Sequence, residues 1–184
     1  LFHQKSQRDD GMKQTLQQLK KIMVCCLVMI SAASYANEHL PTSIDHNGDS
    51  YALCDDYMLK YGFVIKVAAI GWYAEDCQQL SSVLASNNKI LRFHYFRDVE
   101  ASFFQDSAAE YFVKNLGSEK EKTAMKITLS EFNDAYTNIN PGEYFDLIHY
   151  QNQTLSLMKN GTLLTTTDNS AFARLYFNIW FGQN

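Results

Sequence analysis

The order of hydrophobic and polar positions predicts a β-hairpin near the middle of the chain. Residues 63–76 (FVIKVAAIGWYAED) form an apolar run that only Lys66 interrupts before its acidic end. Periodicity alone does not separate a buried helix from a buried strand here, but the β-branched and aromatic residues favour a strand. A turn at residues 60–62 would pair residues 51–59 with residues 63–73. Apolar and polar residues do not alternate cleanly in the second strand, so we expect it inside a sheet with both faces covered.

The next third of the chain predicts one strand and two helices. Residues 89–99 alternate as a half-buried strand does. Residues 99–115 have helical spacing, with Asp98 as a candidate N-cap. A second helix begins with the capping-box pattern of Ser118 and Glu121 and ends before residues 140–142. The apolar positions on the two helices are Phe103, Phe104, Ala108, Tyr111 and Phe112, and then Met125, Leu129, Phe132 and Tyr136.

The last third predicts a β-meander followed by a helix. Three strands are expected, at residues 143–150, 154–159 and 162–166, and Asn160-Gly161 between the last two is a strong hairpin signal. A final helix over residues 169–181 would be capped by Asp168 or Asn169. Because the strands pair through hairpins and the helices are grouped, we predict an α+β fold and not a doubly wound parallel sheet.

The N-terminal residues indicate a targeting segment. Residues 1–11 are polar, lack an initiator Met and are interpreted as an untranslated or disordered leader. Residues 12–36 combine lysines, a nine-residue apolar run and a small-residue cleavage site, which is typical of a bacterial signal peptide. An uncleaved anchor is the alternative, although the apolar run is shorter than the ~20 residues of a membrane-spanning helix. The prediction is a single domain at residues 37–184, located in the periplasm or secreted, with no stable membrane span after cleavage.

The net charge and the cysteines limit the functions and the crosslinks that the chain can have. Residues 37–184 hold 11 Lys and Arg against 18 Asp and Glu, a net charge of −7. Scattered acids without a basic face argue against nucleic-acid binding. Cys54 and Cys77 could pair in an exported protein. The estimated hairpin register places Cys54 opposite about Ala68, so the sequence leaves this disulfide open.

Familiar catalytic and metal-binding motifs are absent from the sequence. There is no nucleophile elbow, P-loop or dinucleotide-binding glycine motif. No two histidines are four residues apart and no Cys-x-x-Cys occurs, so we predict neither a metal nor a cofactor. Residues 45–49 (DHNGD) resemble half of a calcium loop, but the remaining ligands of an EF-hand are missing. A turn is the favoured interpretation of this segment.

Four segments, in the right order, resemble the chalcone isomerase-like family. Residues 65–75 (IKVAAIGWYAE) are similar to the family segment IKFTAIGVYLE, and residues 96–99 (FRDV) to a strand end written YRDI. Residues 139–143 (INPGE) resemble the turn that begins the family's C-terminal meander. Residues 172–182 resemble the last helix of the bacterial, exported members, which continue with a further helical stretch; a chain truncated at its C-terminus is therefore expected.

The resemblance implies an open-faced β-sandwich, in which helices cover an antiparallel sheet and an apolar cleft lies between the layers. The family's catalytic groups do not carry over. Asp56 falls at the position of the arginine that stabilises the developing oxyanion, where a carboxylate would repel it. Ala68 and Ile179 replace two threonines and have no hydroxyl.

Two residues are weak catalytic candidates. Tyr111 is a distant counterpart of the family's tyrosine, although its apolar neighbours suggest a residue on the core face of a helix. Arg97 matches the family's strand-end arginine, although such arginines usually form ion pairs or caps. The predicted pocket residues are Asp56, Ala68, Ile70, Tyr111 and Ile179.

Three functional hypotheses follow. The first is a non-catalytic protein that binds a small apolar or amphipathic ligand, such as a fatty acid or a polyphenol, in an aromatic cleft. The second is an isomerase of the intramolecular lyase type that recruits Tyr111 or Arg97. The third is an envelope protein-interaction module without a small ligand. The oligomeric state and the identity of the ligand are not determined by the sequence.

Overall fold

The structure is a computed structural model that describes residues 39–62, 64–78, 83–84, 88–114, 119–151 and 154–181. The predicted leader and signal peptide, at residues 1–36, lie outside the described residues. The strands are β1 (Ser43–His46), β2 (Asp49–Tyr61), β3 (Ile65–Ala74), β4 (Lys89–Tyr95), β5 (Tyr144–Tyr150), β6 (Thr154–Lys159) and β7 (Thr162–Thr167). The helices are α1 (Ala101–Lys114), α2 (Glu119–Asn133), α3 (Ser170–Tyr176) and α4 (Asn178–Phe181).

The strands form one antiparallel sheet of seven, in chain order from β1 to β7. The predicted hairpin is confirmed as β2 and β3, and β3 lies inside the sheet between β2 and β4. Residues 47–48 and 160–161 form tight turns in which both central residues have positive φ, as a two-residue hairpin requires. The α+β prediction is therefore confirmed, and residues 45–49 form a hairpin turn.

Two bulges set which face each residue of the hairpin occupies. Leu53 and Asp55 pair with the adjacent residues Tyr73 and Trp72, so Cys54 is an extra residue in β2. A second irregularity adds one residue to β3, at position 67. A bulge leaves its extra residue unpaired and shifts the alternation of the side chains that follow it. Residues on either side of each bulge consequently point to faces that a simple count along the strand would not predict.

The helices cover one face of the sheet, which we call the helix-facing face. The helix α1 packs against α2 and α4, α2 packs against β7, and α3 packs against β6. Between these layers lies the main hydrophobic core, whose largest members are aromatic. Its buried aromatic residues are Phe93, Tyr95, Phe112, Phe132, Tyr136, Phe145, Phe172, Tyr176 and Phe177.

The segment at residues 39–42, which we call the N-terminal strap, lies across the opposite, outer face. The ring of His39 stacks on His94 of β4 with centroids 5.2 Å apart. The hydroxyl of Tyr73 donates to the carbonyl oxygen of Pro41 at 3.0 Å. The strap helps to bury a smaller core on this face, formed by Tyr51, Tyr73, Ile90 and Ile148.

Local details differ from the sequence predictions at helix ends. The backbone N–H of Ala101 donates to the side chain of Asn138 at 2.9 Å, so a distant residue caps α1 and not Asp98. The strand β4 ends at Tyr95, and α2 ends at Asn133, which leaves Tyr136 in the connection that follows. The final helix is divided at Phe177 into α3 and α4. Its predicted cap is confirmed, since Asn169 Oδ1 accepts from the backbone N–H of Phe172 at 3.0 Å.

Cys54 and Cys77 form a disulfide, with their Cα atoms 5.1 Å apart. The register estimated from the sequence was wrong, because the β2–β3 turn lies further along the chain and Cys54 sits in a bulge beside Tyr73. After β3 ends at Ala74, the chain bends back and brings Cys77 to the bulge. The disulfide therefore closes the open end of the hairpin.

Replacing both cysteines by serine should lower the free energy of unfolding by ~3 kcal/mol, because the crosslink no longer restricts the unfolded chain. Urea denaturation with and without a reducing agent measures this. The reducing agent should destabilise the natural chain by a similar amount and leave the double variant unchanged. An equal response of the two proteins would show that the cysteines are not joined in solution.

The strap also explains why residue 71 is glycine. A Cβ at this position would lie 2.9 Å from the Tyr73 ring and 3.0 Å from the side chains of both Leu40 and Leu53. We expect Gly71→Ala to destabilise the fold by about 1 to 3 kcal/mol through overpacking. Leu40→Ala removes one of these contacts, so the double variant should lose less than the sum of the two single changes. Strictly additive losses in urea denaturation would contradict the predicted position of the strap.

Candidate functional site

The helix-facing side of the β2–β3 hairpin carries an open apolar surface. We define the β2–β3 surface as the side chains of Tyr57, Leu59, Tyr61, Ile65 and Val67. Tyr57 is 37% exposed and Ile65 is 40% exposed, whereas the same face of β4 and β5 is buried under the helices. The register places Tyr57, Leu59, Tyr61 and Ile65 on one face, because residues paired across adjacent strands point to the same side. Val67 is the extra residue of the second bulge and packs against the main core on this face. The sandwich is thus open over β2 and covered over β5 to β7.

Ala68 and Ile70 form the floor of this region. Both are buried and belong to the main core, and Ala68 lies between Leu59 of β2 and Tyr95 of β4 in the register. The methyl group of Ala68 leaves room for larger neighbours. The ring of Tyr95 meets Phe104 of α1 edge to face with centroids 5.6 Å apart. The surface formed by Ala68 and Ile70 therefore continues into a group of aromatic rings that begins with Tyr95 and Phe104.

These aromatic rings contact one another from the sheet to the helices. Phe104 stacks on Tyr136 with centroids 5.2 Å apart and meets Phe145 edge to face at 5.3 Å. Aromatic pairs in these geometries contribute about 0.5–1.5 kcal/mol beyond the area that they bury. Flat rings next to an open apolar surface suit contact with an aliphatic chain or another aromatic ring.

Tyrosine hydroxyls give this interior a polar character. Tyr176 donates to Oδ1 of the buried Asn133 at 2.8 Å, and the hydroxyl of Tyr136 lies 3.4 Å from that of Tyr176. Burial raises the pKa of Tyr95 well above its ordinary value, and the nearby hydroxyls of Tyr136 and Tyr57 raise it further. We call Tyr57, Tyr95, Tyr136 and Tyr176 the tyrosine cluster.

Burial also raises the pKa of Tyr57 and of Tyr136 well above the ordinary value of a phenol. As a whole residue, Tyr57 is nevertheless 37% exposed. The hydroxyls of the cluster are therefore neutral at physiological pH. A neutral phenol can donate a hydrogen bond to a ligand oxygen or accept one.

Not all of the predicted pocket residues meet here. Ala68 and Ile70 share the helix-facing face, but Asp56 pairs with Gly71 and so points to the outer face. The sequence comparison placed Asp56 at the position of a catalytic arginine without taking account of the bulge at Cys54. Ile179 of α4 is half-buried against the main core, and Tyr111 of α1 is half-buried. Arg97 is exposed in the loop after β4.

One partly buried guanidinium, that of Arg92, is engaged on the outer face. Its Nε and one terminal nitrogen each lie 2.7 Å from an oxygen of Asp146, and its plane lies 4.0 Å from the ring centre of Tyr144. Burial disfavours the charge of Arg92, but the hydrogen bonds to Asp146 and its negative charge together outweigh burial and raise the pKa of Arg92. Arg92 joins β4 to β5 and lies on the face of the sheet opposite the β2–β3 surface.

Sequence reasoning missed the residues that make the site polar. Tyr95 was recognised only as part of an alternating strand pattern, and Tyr57 was not singled out. Two buried polar residues of the helix-facing side are Lys89 and His149; the sequence indicates His149 as a partly buried polar residue on a strand, whereas Lys89 was missed. Their signal was a charged or titratable residue on an otherwise apolar strand face. Without the register of β4 and β5, this signal does not show that the two side chains meet.

The described part of the chain has neither a metal-binding group of side chains nor a membrane-spanning helix. Its His, Cys, Asp and Glu side chains include no group of three that could hold a metal ion. None of its helices combines the length and the apolar character that crossing a membrane requires.

The fold and the site define an open-faced α+β sandwich with an aromatic interior. The chain belongs to the chalcone isomerase-like family, whose model matches residues 32–184. No curated protein matches the sequence. Among 36 matching chains of solved structures is a fatty-acid binding protein of Arabidopsis thaliana. It is 18% identical, with a TM-score of 0.57, and the alignment covers 79% of this chain and 85% of that one. At this identity the match shows the shared fold.

Removing the hydroxyl of Tyr176 should destabilise the protein. Tyr176→Phe leaves Oδ1 of the buried Asn133 without its 2.8 Å donor, which should cost about 1 to 3 kcal/mol in urea denaturation. Tyr150→Phe is the control, because in the described part of the chain the hydroxyl of Tyr150 donates to the exposed side chain of Asp49, at 3.3 Å. We expect that variant to stay within about 0.5 kcal/mol of the natural chain. Equal losses in the two variants would argue against a buried hydroxyl network.

Proposed function

We propose that this protein binds a small apolar or amphipathic molecule without converting it chemically. The observation that carries the proposal is the position of the β2–β3 surface, an open apolar strip beside the neutral hydroxyls of the tyrosine cluster. Apolar contacts supply most of the affinity in such sites, and a few polar groups orient the ligand. A fatty acid or a polyphenol has this combination of a large apolar part and one or more oxygens.

The proposal of a non-catalytic site follows from the charged and titratable groups close to the β2–β3 surface. Oxyanion stabilisation requires donors or cations aimed at the atom where negative charge develops. Asp56 and Arg92 point to the outer face, and Arg97 is exposed in a loop. A general base must have a pKa near the working pH, whereas the pKa values of Tyr57, Tyr95 and Tyr136 are all raised.

The ligand class has independent support in the solved structure that shares this fold, since that plant protein is described as a fatty-acid binding protein. For the cellular location, we propose export to the periplasm through the signal sequence at residues 12–36. The disulfide between Cys54 and Cys77 supports an oxidising compartment, because glutathione and thioredoxin keep thiols reduced in the cytosol.

Ligand binding can be tested with a matched pair of variants. Ile65→Asp places a charge on the β2–β3 surface, whereas Ile127→Asp places the same charge on α2, where Ile127 is 70% exposed. Titration with oleyl alcohol by fluorescence competition should give at least tenfold weaker binding for Ile65→Asp, because the carboxylate must be desolvated under the ligand. Ile127→Asp should bind as the natural chain does.

Two results would overturn the proposal. If Ile65→Asp and Ile127→Asp bound oleyl alcohol as tightly as the natural chain, the ligand would not occupy the β2–β3 surface. If the purified protein cyclised a chalcone well above the spontaneous rate, the non-catalytic part would be wrong. Native mass spectrometry of the protein purified from the periplasm adds a direct check, since a co-purified lipid is expected.

A further inference from the structure

A second polar group lies inside the sandwich, at the other end of β4 from the tyrosine cluster. Lys89 begins β4, and its partner in the register is His149 of β5. Both side chains point to the helix-facing face, and the residues are only 2% and 1% exposed. Phe177, at the junction of α3 and α4, covers them: the Lys89 ammonium lies 4.5 Å from its ring centre and the His149 ring lies 5.9 Å from it.

Within the described residues, this pair has no anionic partner. The ammonium of Lys89 donates to the carbonyl oxygen of Val83 at 2.8 Å, and neither described ion pair includes Lys89. Neither ring nitrogen of the buried His149 has a hydrogen-bond partner. A buried polar group without a partner usually costs about 1 to 3 kcal/mol. Within the described residues, the buried ammonium therefore has one acceptor and no anion, and the imidazole N–H beside it has no acceptor.

The surroundings make the site selective for negative charge. Burial lowers the pKa of Lys89 to about 8, so it still carries its charge at neutral pH. Burial, Lys89 and Arg174 of α3 together lower the pKa of His149 to about 4. The imidazole is accordingly neutral and keeps one N–H donor. The buried ammonium and the neutral imidazole N–H beside the Phe177 ring suit an anion, and a planar carboxylate can accept from both Lys89 and His149.

We propose that Lys89 and His149 bind the carboxylate of an amphipathic ligand whose alkyl chain follows β4 toward the β2–β3 surface. This inference rests on the proposed function and adds the residues that hold the charged end of a long-chain monocarboxylate. Tyr95 lies six residues after Lys89 on β4, which corresponds to about 20 Å of extended strand. Leu91 and Phe93 lie between them on the same face and are buried in the main core, so an alkyl chain on this path lies between the sheet and the helices.

The part of the structure that covers Lys89 and His149 is the junction between the short helices α3 and α4. Phe177 separates α3 from α4, and α4 has only four residues. Helices this short have little stability of their own and depend on tertiary packing. A carboxylate that replaces the Phe177 ring as the partner of Lys89 requires a displacement of this junction.

The test compares oleate with oleyl alcohol, which have the same chain and differ in the carboxylate. The variants are Lys89→Met and His149→Phe, with Lys159→Met as the control. Lys159 lies on β6 of the same sheet, where its ammonium pairs with Glu143 at 2.9 Å, so that change also removes one positive charge. We expect the natural chain and Lys159→Met to prefer oleate at least tenfold, and Lys89→Met and His149→Phe to lose that preference.

A second readout does not depend on the variants folding. The pKa of His149 can be followed by NMR of its ring nitrogens in the natural chain. Oleate should raise this pKa from about 4 by at least one unit, because a nearby carboxylate favours the imidazolium, whereas oleyl alcohol should leave it unchanged. A merely structural pair would show no difference between the two ligands.

The outcomes separate the two proposals. Equal binding of oleate and oleyl alcohol, with the His149 pKa unmoved, overturns the carboxylate site and keeps the apolar binding function. Binding of neither molecule overturns both. A preference for oleate that persists in Lys89→Met places the carboxylate elsewhere and also overturns this inference.

Discussion

Close packing on both faces of β3 is the constraint on which the rest of the structure depends. Ala68 and Ile70 lie under aromatic rings on the helix-facing side, while Gly71 accommodates the side chain of Leu40 on the outer side. Small residues on a central strand let the layers approach closely, and interiors packed at this density tolerate little change in volume. The sheet therefore holds two cores, one under the helices and one under the N-terminal strap.

The two faces use polar residues differently. On the outer face, Arg92 and Asp146 satisfy each other with two hydrogen bonds and join β4 to β5. On the helix-facing side, the polar groups lie at opposite ends of the core. The tyrosine cluster is partly hydrogen-bonded, whereas the nitrogens of His149 are without partners in the described residues. A stable core rarely keeps such groups unless a ligand or a solvent molecule completes them, which is why the helix-facing side is the candidate for binding.

The sequence predictions were correct for features made by neighbouring residues and wrong for features made by residues far apart in the chain. The hairpins at residues 47–48 and 160–161 and the cap at Asn169 were predictable, because adjacent residues determine turn and cap chemistry. The cap of α1 was not, because Asn138 reaches it from a different part of the chain. The division of the last helix at Phe177 also escaped prediction, since the helical pattern of its side chains continues through the break.

The sequence by itself determined the strands, the helices, their order and the family, because periodicity, turn residues and short segment resemblances are local properties. Only the tertiary structure decided that Cys54 meets Cys77, that Asp56 faces away from Ala68, and that Lys89 lies beside His149. Each of these depends on register, and one extra residue in a strand moves the following side chains to the other face. The bulge at Cys54 is seen in the pairing of β2 with β3, which the sequence pattern of β2 did not indicate.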